Sequence, residues 1–236
     1  MRTPELSIII PTYNEIENIP ELLGLMKKEL KDIEFEIVIV DDDSPDLTWK
    51  YAMDRGYDDV RVIRRIGRKG LASAVVEGLC AAKGKYSLVM DADFQHDISA
   101  IKQMLAKIRS GYSLVIGSRY MPGSNNYGFP KKRLFLSMFI TAVIRHFIKV
   151  NVSDPLSGFF MIRSDLVRGI IPKLRPRGYK ILLDILINAA AEKIHEMPCR
   201  FAPRKHGKSK VSYNLGLDLL RYLLDIALGR ITGRPK

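Results

Sequence analysis

The chain has 236 residues, 47% apolar and 27% charged, a composition that suits one large α/β domain with a full core and excludes a disordered or fibrous chain. Its 38 Lys and Arg against 26 Asp and Glu leave a net charge of +12, which calls for an anionic partner: nucleic acid, a membrane surface or a phosphorylated substrate. Cys80 and Cys199 lack disulfide or zinc spacing and are expected to be buried thiols in a reducing compartment, and the first residues lack the basic-then-apolar plan of a signal peptide.

Strand-like and helix-like segments alternate from the start. Leu6 to Ile10 is a short β-branched run closed by Pro11-Thr12-Tyr13-Asn14, from which a helix is predicted to run to about Leu30. Glu36 to Val40 reads as a second buried strand ending on Asp41-Asp42-Asp43-Ser44-Pro45-Asp46. A helix from about Thr48, strand Val60 to Ile63, helix Leu71 to Ala82 and strand Tyr86 to Met90 follow. A helix from about Ile98 to Ser110 and a strand Ser113 to Gly117 complete this half. Near-continuous apolar strands in β-α-β order predict a mainly parallel sheet with helices on both faces, whose ligands bind beyond the C-terminal strand ends.

The second half changes character. Leu134 to Ile144 is apolar on nearly every side before Arg145, His146 and Lys149 interrupt it, and a second apolar helix is predicted over roughly Leu215 to Leu228, carrying Asp218, Arg221 and Asp225. Both fall short of the about 20 residues that span a bilayer. The expected organisation is one catalytic domain, 1–212, followed by a C-terminal amphipathic segment, 213–236, able to lie in a membrane interface.

Asp91-Ala92-Asp93, at the end of the run Tyr86 to Met90, carries the most chemical information. Two carboxylates one residue apart at a strand end repel unless a cation joins them. Mg²⁺ or Mn²⁺ is the natural occupant, with Gln95 as a further oxygen ligand, and such hard ions usually share their coordination with substrate phosphates.

Ile10-Pro11-Thr12-Tyr13-Asn14-Glu15, Val40 to Asp46, Asp91 to His96 and Gly117-Ser118-Arg119-Tyr120 occur in an order that resembles the family-two inverting glycosyltransferases of the GT-A fold. With Arg204-Lys205-His206-Gly207-Lys208-Ser209-Lys210 added, residues 5 to 212 resemble the catalytic domains of dolichol-phosphate mannose synthases. The resemblance implies a Rossmann-like, three-layer α/β/α architecture with a mainly parallel mixed sheet. It also implies that Pro11, Tyr13, Glu15, Val40 and Asp42 line the nucleoside pocket, with Asp91, Ala92 and Asp93 at the donor diphosphate. Asp91, Asp93 and Gln95 would hold the metal, and Arg204 and Lys210 would clamp the diphosphate. Arg119, Arg133 and Ser137 would contact the acceptor phosphate. The usual pattern has Gly where Asp43 and Leu47 stand, both positions that suit a left-handed turn. His96 and Asp97 are expected to cap the following helix, and Asp154 to be a turn residue.

The activity implied is metal-dependent, inverting transfer of mannose from GDP-mannose to dolichyl or another polyprenyl phosphate, at the cytoplasmic face of a membrane to which the chain binds peripherally. A phosphate monoester, with a second pKa of about 6, is already a nucleophile at neutral pH, so no general base is required. A UDP-glucose-dependent polyprenyl-phosphate glucosyltransferase shares these motifs and stays open as the alternative, as do membrane partner subunits. A basic nucleic-acid-binding module is the reading from another class, but no stacking-aromatic or recognition-helix motif accompanies the charge, and no nucleic-acid partner is expected. A non-catalytic subunit keeping the fold is opposed by the intact Asp91 and Asp93.

Overall fold

The computed structural model describes residues 3–126, 140–145, 151–176, 178, 180–189, 193–206 and 222. Nine strands and six helices are named among them: β1 Leu6–Thr12, α1 Ile19–Glu29, β2 Phe35–Asp41, α2 Thr48–Asp54, β3 Val60–Arg64, α3 Leu71–Ala81, β4 Tyr86–Val89, α4 Ala100–Arg109 and β5 Leu114–Ser118. The remainder are β6 Asn125–Asn126, β7 Phe160–Arg163, α5 Ser164–Ile170, α6 Ile181–Asn188, β8 Ile194–Pro198 and β9 Arg200–Phe201. Seven strands form one sheet in the order β3-β2-β1-β4-β7-β5-β8, and β6 pairs with β9 apart from it. All pairings in the large sheet are parallel except those of β7, which runs antiparallel to both β4 and β5.

The sheet is covered on both faces because its central strands alternate apolar side chains in both directions. Leu6, Ile8 and Ile10 of β1 join Leu22 and Met26 of α1 and Met104 and Ile108 of α4 in one core cluster. Ile9, Val38 and Val40 point the other way, onto Ala72, Val75 and Leu79 of α3 and Ile181 and Ile185 of α6. Helix α3 lies very close to the sheet at Gly78, where a Cβ would come within 2.4 Å of Ile9 Cγ2. The predicted three-layer α/β/α arrangement and mainly parallel mixed sheet are thus observed. Most predicted element bounds agree within two residues.

Two expectations change, and two strands were not foreseen. Helix α1 begins at Ile19 rather than directly after Asn14, because the N–H groups of residues 14–16 are tied to the loop after β2 and the start of α2. Strand β7 inserts between β4 and β5, and β8 forms the far edge; neither was predicted. Cys80 is an exposed free thiol, whereas Cys199 is buried as expected. Asp43 and Leu47 do adopt left-handed backbone, with φ of 55° and 65°, which shows why glycine suits both positions.

Of the two apolar stretches in the second half, residues 140–145 are helical, with Ile144 buried against Leu183 and Tyr222. Tyr222 also donates from its hydroxyl to Asp184 Oδ1 at 2.6 Å. The rest of the stretch 134–150, and all of the segment 213–236 except Tyr222, lie outside the described residues. Among the described residues, no helix is long and apolar enough to cross a membrane.

Candidate active site

The loops at the C-terminal ends of β1 and β2 are joined by short hydrogen bonds from backbone to side chain. Asp41, fully buried, accepts from Thr12 Oγ1 at 2.7 Å, from the Ser44 N–H at 2.8 Å and from Ser44 Oγ at 2.7 Å. Ser44 Oγ accepts the Asn14 N–H, Thr48 Oγ1 the Glu15 N–H, and Asp46 Oδ2 the Ile16 N–H, at 2.9, 2.9 and 3.1 Å. Most of the polar run after β2 is therefore structural. It holds Tyr13 and Glu15 against the second strand end, beside the buried Pro11 and Val40.

Asp42 is the carboxylate of this run turned toward the loop after β3. Its Oδ2 accepts the Gly70 N–H at 2.6 Å, and its Oδ1 lies 3.0 Å from Arg65 Nη1 at an angle that makes no hydrogen bond. Burial pushes its pKa up against the lowering effect of Gly70 and Arg65. Arg65, with 2% of its side chain exposed, also donates to Gly70 O and Ser73 Oγ. Lys69 Nζ donates to the Tyr13 hydroxyl at 3.0 Å. Arg65, Lys69 and Gly70 thus wall the side of these loops where the nucleoside pocket is expected, and none of them was among the expected site residues. Their signal was the basic, glycine-punctuated run Arg64 to Gly70 directly after β3, another strand end.

Beyond β4 the chain turns sharply at Phe94, whose φ is 62°. Asp91 keeps 35% of its side chain exposed, and Asp93 only 6%. Burial, then the charge of Asp91, raises the Asp93 pKa, with Arg204 opposing. Arg204 Nε lies 3.1 Å from both Asp93 Oδ2 and Gln95 Oε1. Gln95 also donates from Nε2 to Ala202 O at 3.1 Å. The segment after β9 is held over this turn by the Ala202 N–H on Gln95 O, the Lys205 N–H on Asp93 O, and an ion pair from Lys205 to Glu21 of α1.

Two adjacent carboxylates, one buried with a raised pKa, form a donor set that a divalent cation would relieve, so the residues present fit such an ion. The positive charge beside Asp93 is supplied here by the Arg204 guanidinium. Among the described residues no group of three or more His, Cys, Asp or Glu could hold a metal. A cation at Asp91 and Asp93 would therefore draw further oxygens from Gln95, water and substrate phosphate.

His96 does not cap a helix. Its buried ring stacks on Phe159 at 4.9 Å and meets the edge of Phe201 at 5.4 Å, with Nε2 at 3.6 Å from Asp91 Oδ2. Burial opposes its protonation, but Asp91, with Cys199 nearby, holds its pKa up to about 9. Asp97 does serve the turn into α4, accepting the Ser99 N–H and Ser99 Oγ at 3.0 and 2.6 Å. Gly158 packs where a Cβ would stand 3.4 Å from Asp91 Oδ2, which links the approach to β7 with the carboxylate pair.

Arg119, just past β5, is gripped by a residue expected to be only a turn former. Asp154, fully buried, accepts from Arg119 Nε and Nη2 at 2.8 Å each, and from the Arg119 N–H at 3.1 Å. Although burial opposes the charge, Asp154 holds Arg119 firmly protonated, and the electrostatic influence of Asp91 reaches it. Asp154 also closes a turn, its carbonyl accepting the Ser157 N–H at 3.2 Å. Arg133, Ser137 and Lys210, the other expected phosphate contacts, lie outside the described residues.

Residues 7–171 match the sequence profile of glycosyl transferase family 2. The chain belongs to glycosyl transferase family 2. A dolichol-phosphate mannosyltransferase of Pyrococcus furiosus is 40% identical over 222 residues, 93% of this family 2 chain and 62% of that protein. The chain thus spans less than two thirds of that relative's length. A dolichol-phosphate mannosyltransferase of Mycosarcoma maydis is 32% identical, over 95% of this chain and 79% of its own. An undecaprenyl-phosphate mannosyltransferase of Micrococcus luteus is 34% identical, over 86% of each. Glucosyl-3-phosphoglycerate synthase of Mycobacterium tuberculosis, solved with Mn²⁺, UDP and glucosyl-3-phosphoglycerate, shares the GT-A-like fold at TM-score 0.69 and 20% identity, covering 99% of this chain and 81% of that one. The family resemblance carried by the strand-end motifs is borne out.

Proposed function

We propose that this family 2 chain transfers mannose from GDP-mannose to the phosphate of dolichol or another polyprenol, with inversion and with a divalent cation at Asp91 and Asp93. The observation that carries this reading is the state of Asp154. A hydroxyl acceptor needs a base, yet both oxygens of this buried carboxylate are engaged by Arg119. An acceptor phosphate needs no base, and a fixed guanidinium is suited to hold it. The names of the relatives, polyprenyl-phosphate mannosyltransferases, support the same acceptor class.

In the proposed step an acceptor phosphate oxygen bonds to the mannose anomeric carbon while the bond from that carbon to the diphosphate breaks on the opposite face. Asp42 and Val40 would complete the nucleoside pocket at the second strand end, Glu15 would accept from base N–H groups or a ribose hydroxyl, and Tyr13 would offer an aromatic face. Arg204 and Lys210 would stabilise the negative charge growing on the departing diphosphate. The cation, when bound, supplies Lewis-acid stabilisation of that leaving group. Arg133 and Ser137 are assigned with Arg119 to the acceptor phosphate.

A lipid acceptor lies at a membrane, and we assign the chain to its cytoplasmic face, held peripherally. The net charge of +12 favours anionic lipid, and the segments 134–150 and 213–236 are the candidate contacts. The test is a donor and acceptor matrix: GDP-mannose and UDP-glucose, each with a short polyprenyl phosphate and with the corresponding polyprenol. Mannosyl transfer to the phosphate alone is expected. Transfer from UDP-glucose only, or equal transfer to the unphosphorylated alcohol, overturns the reading.

A further inference from the structure

We propose that Glu196, on the edge strand β8, is a positioning residue for the acceptor: it fixes the Ser153 and Asp154 backbone, and through Asp154 the orientation of Arg119. This deepens the reading of Arg119 as the acceptor-phosphate ligand and rests on it.

The Glu196 carboxylate takes three hydrogen bonds from two consecutive residues. Oε2 accepts the Ser153 N–H at 2.7 Å, while Oε1 accepts Ser153 Oγ at 2.8 Å and the Asp154 N–H at 3.1 Å. Ser118 and Ser153 join their hydroxyls at 2.6 Å. With Ser153 donating to Glu196, Ser118 donates to Ser153 and accepts the Tyr120 N–H at 3.1 Å. These bonds close a ring through the sheet, since β5 and β8 pair in register with Ile116 opposite Glu196 and Ser118 opposite Pro198.

A surface glutamate on an edge strand ordinarily needs no such set of partners. Here the half-buried Glu196 carboxylate takes the backbone N–H of a residue whose own carboxylate is fully buried and paired with Arg119. The ring's effect is geometric. Asp154 meets Arg119 along one edge of a planar group, so fixing the Asp154 backbone sets the plane in which the guanidinium is presented. Small errors in such a plane weaken phosphate binding more than they weaken the fold.

The test uses the full chain with GDP-mannose and a short polyprenyl phosphate. Glu196→Gln keeps the size but sets an amide N–H₂ against backbone N–H donors. It is expected to raise the acceptor KM about fivefold to tenfold while the donor KM stays within about twofold. Acceptor and donor KM values that are both unchanged, or that rise together, overturn the proposal. In the double variant Arg119→Ala/Glu196→Gln, no acceptor loss is expected beyond that of Arg119→Ala, because Glu196 acts through Arg119; additive losses overturn it. If Arg119→Ala impairs acceptor use and Glu196→Gln does not, the positioning role falls and the acceptor reading stands. If both are silent, both fall. Should Glu196→Gln fail to fold, Ser153→Ala, which removes one donor to Glu196, carries the same comparison with a smaller expected rise.

Discussion

The two sides of the proposed site, nucleoside and phosphate, differ in what their carboxylates face. On the nucleoside side, the loops after β1 and β2 are joined mainly by carboxylates and hydroxyls accepting backbone N–H groups, as at Ser44, Asp46 and Thr48, with Asp42 beside Arg65 as the exception. On the phosphate side, carboxylates face guanidinium groups: Asp93 with Arg204, and Asp154 with Arg119. Bonds of the first kind are made once, on folding, and have no reason to change. Ion pairs of the second kind put cations where, in the proposed reaction, substrate oxygens and a metal would compete for the same partners. Substitutions on the nucleoside side should therefore be read mainly in stability, and those on the phosphate side mainly in kinetics.

The largest expected effect is at Asp93. Asp93→Ala should lower turnover by about a hundredfold or more, the scale of one lost electrostatic contact to the leaving group, and excess chelator should do the same to the unaltered chain. Its melting temperature should be unchanged or raised, because a buried carboxylate beside Asp91 is itself unfavourable. A variant that loses its fold, or one that keeps normal turnover, breaks the contrast. Next come the two arginines. Arg204→Ala should chiefly weaken GDP-mannose use and Arg119→Ala use of the lipid phosphate, each by about tenfold or more in kcat/KM. Steady-state kinetics with each substrate varied in turn would show whether the effects separate.

On the other side, Asp41→Ala strands three donors inside the protein and should cost about 2–4 kcal/mol by denaturant unfolding. The acceptor KM measured well below the new melting temperature should stay the same. The smallest effect is expected at Leu47, half exposed with φ 65°. Leu47→Gly should relieve left-handed strain of about 1–2 kcal/mol, offset by about 0.4–1 kcal/mol of added unfolded-chain entropy, leaving a net gain between about zero and about 1.6 kcal/mol in chemical denaturation. A loss would mean that the Leu47 side chain contributes packing its exposure does not suggest.

The same contrast explains how much could be read beforehand. Strands β1 to β5 announce themselves as short β-branched or apolar runs ending on polar residues, so five of the sheet's seven strands and the expected place of the site were legible. Strand β7 is four residues whose reversed direction depends on the gap it fills rather than on its own sequence. Strand β8 carries His195 and Glu196 and ends on Pro198, as an edge strand can, and offers no continuous apolar signal. In the site, Asp91, Asp93, Arg119 and Arg204 were visible as charges at strand ends or in a basic loop. What each charge faces was not, because the partners lie far along the chain, as Asp154 does from Arg119. The run Asp41 to Asp46 shows the converse: acidic residues that look like binding groups and are mostly loop architecture.

Strand β7 also has a consequence for how the chain folds. β4 and β5 flank it in the finished sheet, yet both leave the ribosome before residues 160–163. Until those residues arrive, β4 and β5 present the open backbone edges that β7 closes, β5 has a second edge that waits for β8, and each pairing of β7 spans a long stretch of sequence. Such non-local closure is slow, and open edges template pairing with other chains. Nascent protein halted between residues 118 and 160 is therefore the species most prone to aggregate. The antiparallel insertion that brings Asp154 and Gly158 beside the proposed site also leaves the middle of the sheet open until β7 arrives, and only β8 is added after it.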